Sequence, residues 1–327
     1  MWNDMNKEKW QNILYAPLGW CLHLLALLPL GVLYVLSDAL WVLVYHVLRY
    51  RRSVAWQNLR ESFPDKSEAE LHGIESRFYR NLTDYFFETI KLLHISDGEM
   101  RRRMEFVGVG EIDKALDKGQ SVMVYSSHYG NWEWLTSFVM WTRYGTQDAI
   151  MAQVYRPLKN KWFDRLFLQL RSRYHTVSYP KNTVLRDMLR DMRDRQQPIT
   201  ICFISDQHPN VNAQDHVIEF LNHPTAMIKG PEIIARRLNM QVCVLDMERV
   251  GRGRFRCTAR MIATDPKLMP DGSITDAYAR ILETRIKADP ASWLWTHKRW
   301  KHKVQLPPQT QQQEDNNNEK ESSCNNS

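Results

Sequence analysis

Directly after the apolar run 121–127 (SVMVYSS) the chain reads His128-Tyr129-Gly130-Asn131-Trp132-Glu133. An imidazole and a carboxylate this close are the parts of a general base. The acid holds the ring in the tautomer that leaves its other nitrogen free to take a proton from a hydroxyl. On a continuous helix two side chains five residues apart point about 140° away from each other, so they share no helical face. They converge only if His128 ends a strand and Glu133 sits in the first turn of the helix that follows, with Asn131 as its N-cap. The spacing alone arises by chance in many chains, and an ordinary polar loop satisfies it equally. The neighbouring Ser126–Ser127 pair has no G-x-S-x-G elbow around it, which argues against an acyl-serine intermediate. His208, His216 and His223 match no common zinc spacing, and the five cysteines are scattered without a CxxC. No metal site and no disulfide framework are expected.

The elements that must position this pair are legible around it. Runs 121–127, 149–155, 199–205 and 242–247 read as buried strands. Phe255, Cys257, Ala259 and Met261 alternate with Arg256, Thr258 and Arg260, the pattern of a strand with one wet face. A helix is expected from Ser67, whose spacing to Glu70 is that of a capping box, with Leu71, Ile74, Phe78 and Leu82 on one stripe. Further helices are expected over 134–141, along Val184, Leu185, Met188 and Met192, from Pro231, and from Ser273 with Asp276. Strands alternating with helices predict an α/β fold, a mixed central sheet flanked by helices, over 53–306. From Gln309 the chain is rich in Gln, Asn and Glu, so 307–327 is expected to be a disordered polar tail.

Residues 18–37 (LGWCLHLLALLPLGVLYVLS) carry no charge except what His23 takes up. Twenty residues of helix rise about 30 Å, the thickness of a bilayer's hydrocarbon core. The stretch lacks the basic start, short core and small-residue cleavage site of a signal peptide, so 1–52 is expected to be a retained transmembrane or membrane-anchoring segment. Pro29 and Gly31 leave a kinked or re-entrant anchor open. Lys7 and Lys9 precede the stretch, whereas Arg49, Arg51, Arg52 and Arg60 follow it. That bias places the following domain in the cytoplasm. The net charge of +7 suits anionic lipid as well as nucleic acid. No nucleic-acid module is visible, and the anchor argues against such a partner. Near the end, Trp293, Trp295 and Trp300 are interleaved with Lys298, Arg299, Lys301 and Lys303. They either meet lipid headgroups or pack in the core with solvated cations beside them.

Several segments in order resemble the lipid A biosynthesis late acyltransferases, members of the lysophospholipid-acyltransferase superfamily. SSHYGNWEW carries the family's H-x4-D/E signature at His128 and Glu133; Tyr155-Arg156-Pro157, with Asn160 and Asp164, resembles its second signature. Asp206 in SDQ looks like its next acid, and YRR, NLRESFP, FLNHPTAMIKGPEIIARR and WLWTHKRWK also look typical. The resemblance covers about 17–303 and implies an acyltransferase fold. It implies transfer of a fatty acyl group from a thioester, usually of acyl carrier protein, to a hydroxyl of a lipid A precursor. His128 and Glu133 would be catalytic, without an acyl-enzyme and without a cofactor. Asn131, Arg156, Asn160, Asp164 and Asp206 would contact or support substrate. Arg156 would steady an oxyanion or bind acceptor phosphate, unless it forms a structural salt bridge, for instance to Asp164. Asp206 is equally well a site residue or a loop residue. A relative acylating a lysophospholipid or aminolipid, coenzyme A as donor carrier, and a non-catalytic membrane-surface protein remain the alternatives.

Overall fold

In the computed structural model the described residues are 2–306 except 211–213 and 215, with side chains described from Leu14 onward. The tail expected over 307–327, the side chains of Lys7 and Lys9, and Cys324 lie outside them. The helices are α1 (Trp2–Leu27), α2 (Leu30–Trp41), α3 (Arg52–Ser62), α4 (Glu68–Lys91), α5 (Asp97–Arg103), α6 (Val109–Asp117), α7 (Lys161–Arg171), α8 (Val184–Arg195), α9 (Gly230–Leu238) and α10 (Ser273–Ala288). The strands are β1 (Met104–Val107), β2 (Val122–Ser126), β3 (Ile150–Tyr155), β4 (Val177–Pro180), β5 (Ile199–Ile204), β6 (Val217–Phe220), β7 (His223–Ala226), β8 (Gln241–Gly251) and β9 (Arg254–Ala263).

Seven strands form the central sheet in the order β1-β9-β8-β2-β5-β3-β4, and β6 and β7 form a separate hairpin. Every pairing in the large sheet is parallel except β8 with β9, which makes it the mixed α/β sheet expected. All five residues of β2 are buried. A central parallel strand is covered on both faces, which is why its sequence shows no polar alternation. In β9 the alternation survives because Arg256 and Arg260 stay at the wet surface. There they pair with Glu105 and Asp246, both at 2.8–3.1 Å. Helix α4 opens with the reciprocal capping box of Ser67 and Glu70.

Three local expectations are corrected. The 18–37 stretch is not one helix: α1 ends at Leu27 and α2 begins at Leu30. Pro29 has no N–H to give and disfavours helical geometry in the residue before it. Lys91 Nζ then ties down the carbonyls freed at the break, Ala26 O at 3.0 Å and Leu28 O at 2.9 Å. The run that is long and apolar enough to cross a membrane is Leu30–Val47 instead, formed by α2 and a π-helical turn over Val42–Val47. Secondly, the helix expected at 134–141 is a 3₁₀ helix, Trp132–Met140, and Asn131 precedes it without a side-chain capping bond. Its amide instead reaches the buried Glu88, at 3.1 Å. Thirdly, Gly272 rather than Ser273 caps α10, and Asp276 accepts from His216 at 2.8 Å.

Candidate active site

In an open parallel sheet the crevice lies beyond the carboxyl ends of the strands. Here β2, β5 and β3 are neighbours, with Ser126 opposite Ile204. The pairing runs on past the strands through Ser205 N to Ser126 O, 3.0 Å. Two residues further along each strand come His128 and Asp206, so the register itself brings them together. His128 Nδ1 lies 2.7 Å from Asp206 Oδ1. The other carboxylate oxygen accepts from the His128 backbone N–H at 2.9 Å and from the Trp293 indole at 2.8 Å.

Burial opposes the charge on Asp206, but the His128 ring, the two bonds from His128 and the Trp293 indole outweigh it and hold the carboxyl below its ordinary range. An ionised carboxylate only accepts, so the proton on this ring is at Nδ1. Nε2 then carries the free lone pair. It meets the Gln207 amide at 3.1 Å. The edge of His128 packs on the Trp132 ring, 5.0 Å between centroids.

Glu133 sits elsewhere. Its two oxygens form a fork with Arg171, at 2.7 and 2.8 Å, and its side chain is buried. The carboxylate that binds the imidazole in this structure is therefore Asp206, not Glu133. The physical reason is local: the chain leaves β2 in a loop, and Gly130 turns it with φ +61°. A Cβ on Gly130 would meet the Met247 sulfur at 2.7 Å and the Phe255 ring. That turn sends Glu133 toward α7 rather than back over His128.

His128, Glu133, Arg156, Asp164, Arg171 and Gln207 all line one cavity of about 590 Å³. Its inner wall is apolar, with Ile112, Val124, Leu135, Phe138, Met151 and Leu245 among the lining residues. Arg156, the residue after β3, is exposed and, among the described residues, makes no ion pair. Asp164 is not its partner but accepts the Leu158 N–H at 2.7 Å. Lys181 is a second exposed cation lining the cavity. Asn160 caps α7, accepting from Trp162 N and Phe163 N. It also donates to the Tyr15 hydroxyl at 3.2 Å, tying α1 to this wall. Asn131 lies outside the cavity lining, on Glu88.

In the closing segment the second alternative holds for Trp293 and Trp295, which are buried, and for Lys298, Lys301 and Lys303, which are exposed; Arg299 departs from it, being buried rather than solvated. Trp293 pairs with Tyr129 as an isolated bridge, and Leu294 N donates to His128 O at 3.2 Å. This segment buttresses the His128 loop. Arg299 is held by Ala226 O, and burial lowers its pKa to about 10 against the opposing pull of Asp206 and Tyr278. Arg51 and Arg52 likewise serve the fold, bonding Thr296 O and Glu75.

The family model described as bacterial lipid A biosynthesis acyltransferase matches residues 8–302. The chain belongs to that family. It is similar to a lipid A biosynthesis palmitoleoyltransferase of Escherichia coli (strain K12), 24% identical over 84% of this chain and 86% of the relative. A lipid A biosynthesis acyltransferase of Shigella flexneri matches with the same identity and coverage. One from Haemophilus influenzae is 23% identical over 53% of this chain and 52% of the relative. This protein is thus an acyltransferase, with a lipid acceptor and a membrane context. Gln207, Lys181 and Arg171 line this cavity and Trp293 donates to Asp206 behind it, and none of the four was given a chemical role from the sequence. Gln207 stands beside Asp206 in the SDQ motif and Trp293 inside WLW, so both carried a signal. Arg171 and Lys181 carried none.

Proposed function

We propose that this acyltransferase moves a fatty acyl group from an acyl thioester, carried by acyl carrier protein, to a hydroxyl of a lipid A precursor. The observation that carries the reading is the His128–Asp206 pair at the polar end of an apolar cavity. The acyl chain enters the apolar part, a volume within the usual range for small-ligand pockets. The acceptor hydroxyl displaces the Gln207 amide and gives its proton to His128 Nε2 as its oxygen bonds to the thioester carbonyl carbon. Asp206 stabilises the imidazolium that forms. The C–S bond breaks, and the leaving thiolate takes the proton back. No acyl-enzyme intervenes. Ser126 and Ser127 are buried, and burial pushes the thiol of Cys202, on the cavity wall, up to about 12. Arg156 and Lys181 suit the acceptor's phosphate. Glu133 acts through Arg171 by holding α7 to the His128 loop, Asn160 and Asp164 fix the turn behind Arg156, and Asn131 fixes the loop to Glu88. No cofactor is needed, the thioester being a substrate. The domain over 53–306 works at the cytoplasmic face of the inner membrane.

Mass spectrometry of total lipids from cells with and without the gene tests the acceptor. A lipid A species should gain one acyl mass, and a change confined to phospholipids or aminolipids would refute it. Intact-protein mass spectrometry with donor alone tests the single displacement, which a stoichiometric acyl adduct would refute.

A further inference from the structure

The run Leu30–Val47 has the length and composition of a membrane span. Its tertiary contacts are those of a helix lying on a globular domain. The buried Ser37 hydroxyl donates to Asp84 at 2.7 Å, and Tyr34 donates to Glu88 at 3.0 Å. Asp38, in the middle of the run, pairs with Arg252 at 2.8 Å and Arg80 at 3.1 Å. At its far end Tyr45 donates to Glu75, at 3.1 Å. The partners belong to α4 and to the β8–β9 turn, elements of the catalytic domain itself. At that turn Gly253 (φ +61°) lies against the Tyr34 hydroxyl, where no Cβ fits. A spanning helix would drag these partners into hydrocarbon or abandon them, and each charge at a helix centre costs about 2.5–3.5 kcal/mol.

Helix α1 offers no alternative span. Its apolar part, Leu14–Leu27, rises only about 21 Å, short of the roughly 30 Å required. It too is tied to the domain. His23 Nδ1 meets His94 Nε2 at 2.9 Å, and Tyr15 stacks on Trp162 with centroids 5.4 Å apart. Leu22 and Ala26 pack on Ile90. What both helices leave open is apolar: Leu14, Trp20, Leu24, Leu27, Val35 and Val47 are 61–73% exposed. Exposed Trp beside Leu suits the boundary between acyl chains and headgroups, and the exposed Arg49 at the end of the run suits the headgroups themselves.

We infer that α1 and the Leu30–Val47 run lie in the plane of one leaflet and never cross the bilayer, so both chain termini and the catalytic domain face the same compartment. The lipid-facing side is the outer face of these helices, and its occupant is a phospholipid leaflet. An in-plane helix buries its apolar face about 5–10 Å deep, which leaves the inner-face hydrogen bonds intact. The inference does not depend on which lipid is acylated.

Protease protection of the full chain tests it, with one epitope tag before Met1 and a different one after Ser327. Both tags should be digested in inside-out vesicles and neither in intact spheroplasts. An amino-terminal tag digested only in spheroplasts, opposite to the carboxy-terminal one, would overturn the inference. A second arm uses flotation of the purified protein with vesicles of mixed phosphatidylethanolamine and phosphatidylglycerol. Trp20→Glu/Leu24→Glu should keep the wild-type melting temperature and bind these vesicles about tenfold or more weakly. Unchanged flotation, or a variant that only turns a dimer into a monomer, would assign the face to another copy of the chain and sink the proposal.

Discussion

Asp206→Asn is the sharpest perturbation, because the two side chains have the same shape and differ in what they offer His128. The Oδ2 position accepts from both His128 N and the Trp293 indole, so an asparagine must keep its oxygen there. Its NH2 then occupies the Oδ1 position, 2.7 Å from His128 Nδ1. A donor facing Nδ1 turns that nitrogen into an acceptor and moves the ring proton to Nε2, the atom that must act as base. The imidazolium that forms during proton transfer also loses the carboxylate that stabilises it. Losing a positioned base costs about 10² to 10⁴ in rate, or roughly 2.7–5.4 kcal/mol of barrier. We expect kcat/KM for acyl transfer to fall by that factor in purified protein with a near-native melting temperature. Adding His128→Ala should cost little more, since the two residues act as one unit. Glu133→Gln is the contrast. It leaves the bonds of His128 untouched but strips the buried counter-charge from Arg171, a loss of about 3–5 kcal/mol that should appear in the melting temperature first. If Asp206→Asn keeps more than about a third of wild-type activity, the reasoning fails. It fails equally if Glu133→Gln carries the full kinetic loss at unchanged stability.

Arg156→Ala, at an exposed position with no ion pair among the described residues, should leave the melting temperature unchanged and raise KM for a phosphorylated acceptor by roughly 10- to 100-fold, with kcat nearly constant; acceptor titrations check this. Trp293→Phe removes one bond to Asp206 and keeps the ring, so activity should fall about tenfold while the fold survives, as circular dichroism beside kinetics would show. Burial raises the pKa of Glu88 against the opposing pull of Arg249. The folded state therefore holds this proton more tightly than the unfolded chain, and the associated stability falls as pH rises from the ordinary glutamate range through the raised value. The melting temperature of wild type relative to Glu88→Gln should decline across that range. A wild-type advantage over Glu88→Gln that grows with pH would contradict the sign.

Local physics determined much of this protein before any fold was known. Ser67 and Glu70 three residues apart sufficed for the start of α4, because a capping box is closed by backbone groups within one turn. The polar alternation of 255–261 predicted a half-wet strand, because successive side chains of a strand take opposite faces. The placement of His128 at the end of a buried strand was legible for the same reason. Its partner was not. Glu133 is near in sequence and Asp206 is 78 residues away, yet the pairing of β2 with β5 makes the distant acid the neighbour and the Gly130 turn carries the near one to Arg171. A strand's sequence records its own pattern of burial but not the strand it will lie beside. The tryptophans of the closing segment and the run Leu30–Val47 illustrate the same limit. Apolar composition says that a surface must leave water, and only the packed structure decides whether it meets the protein's own core or a membrane.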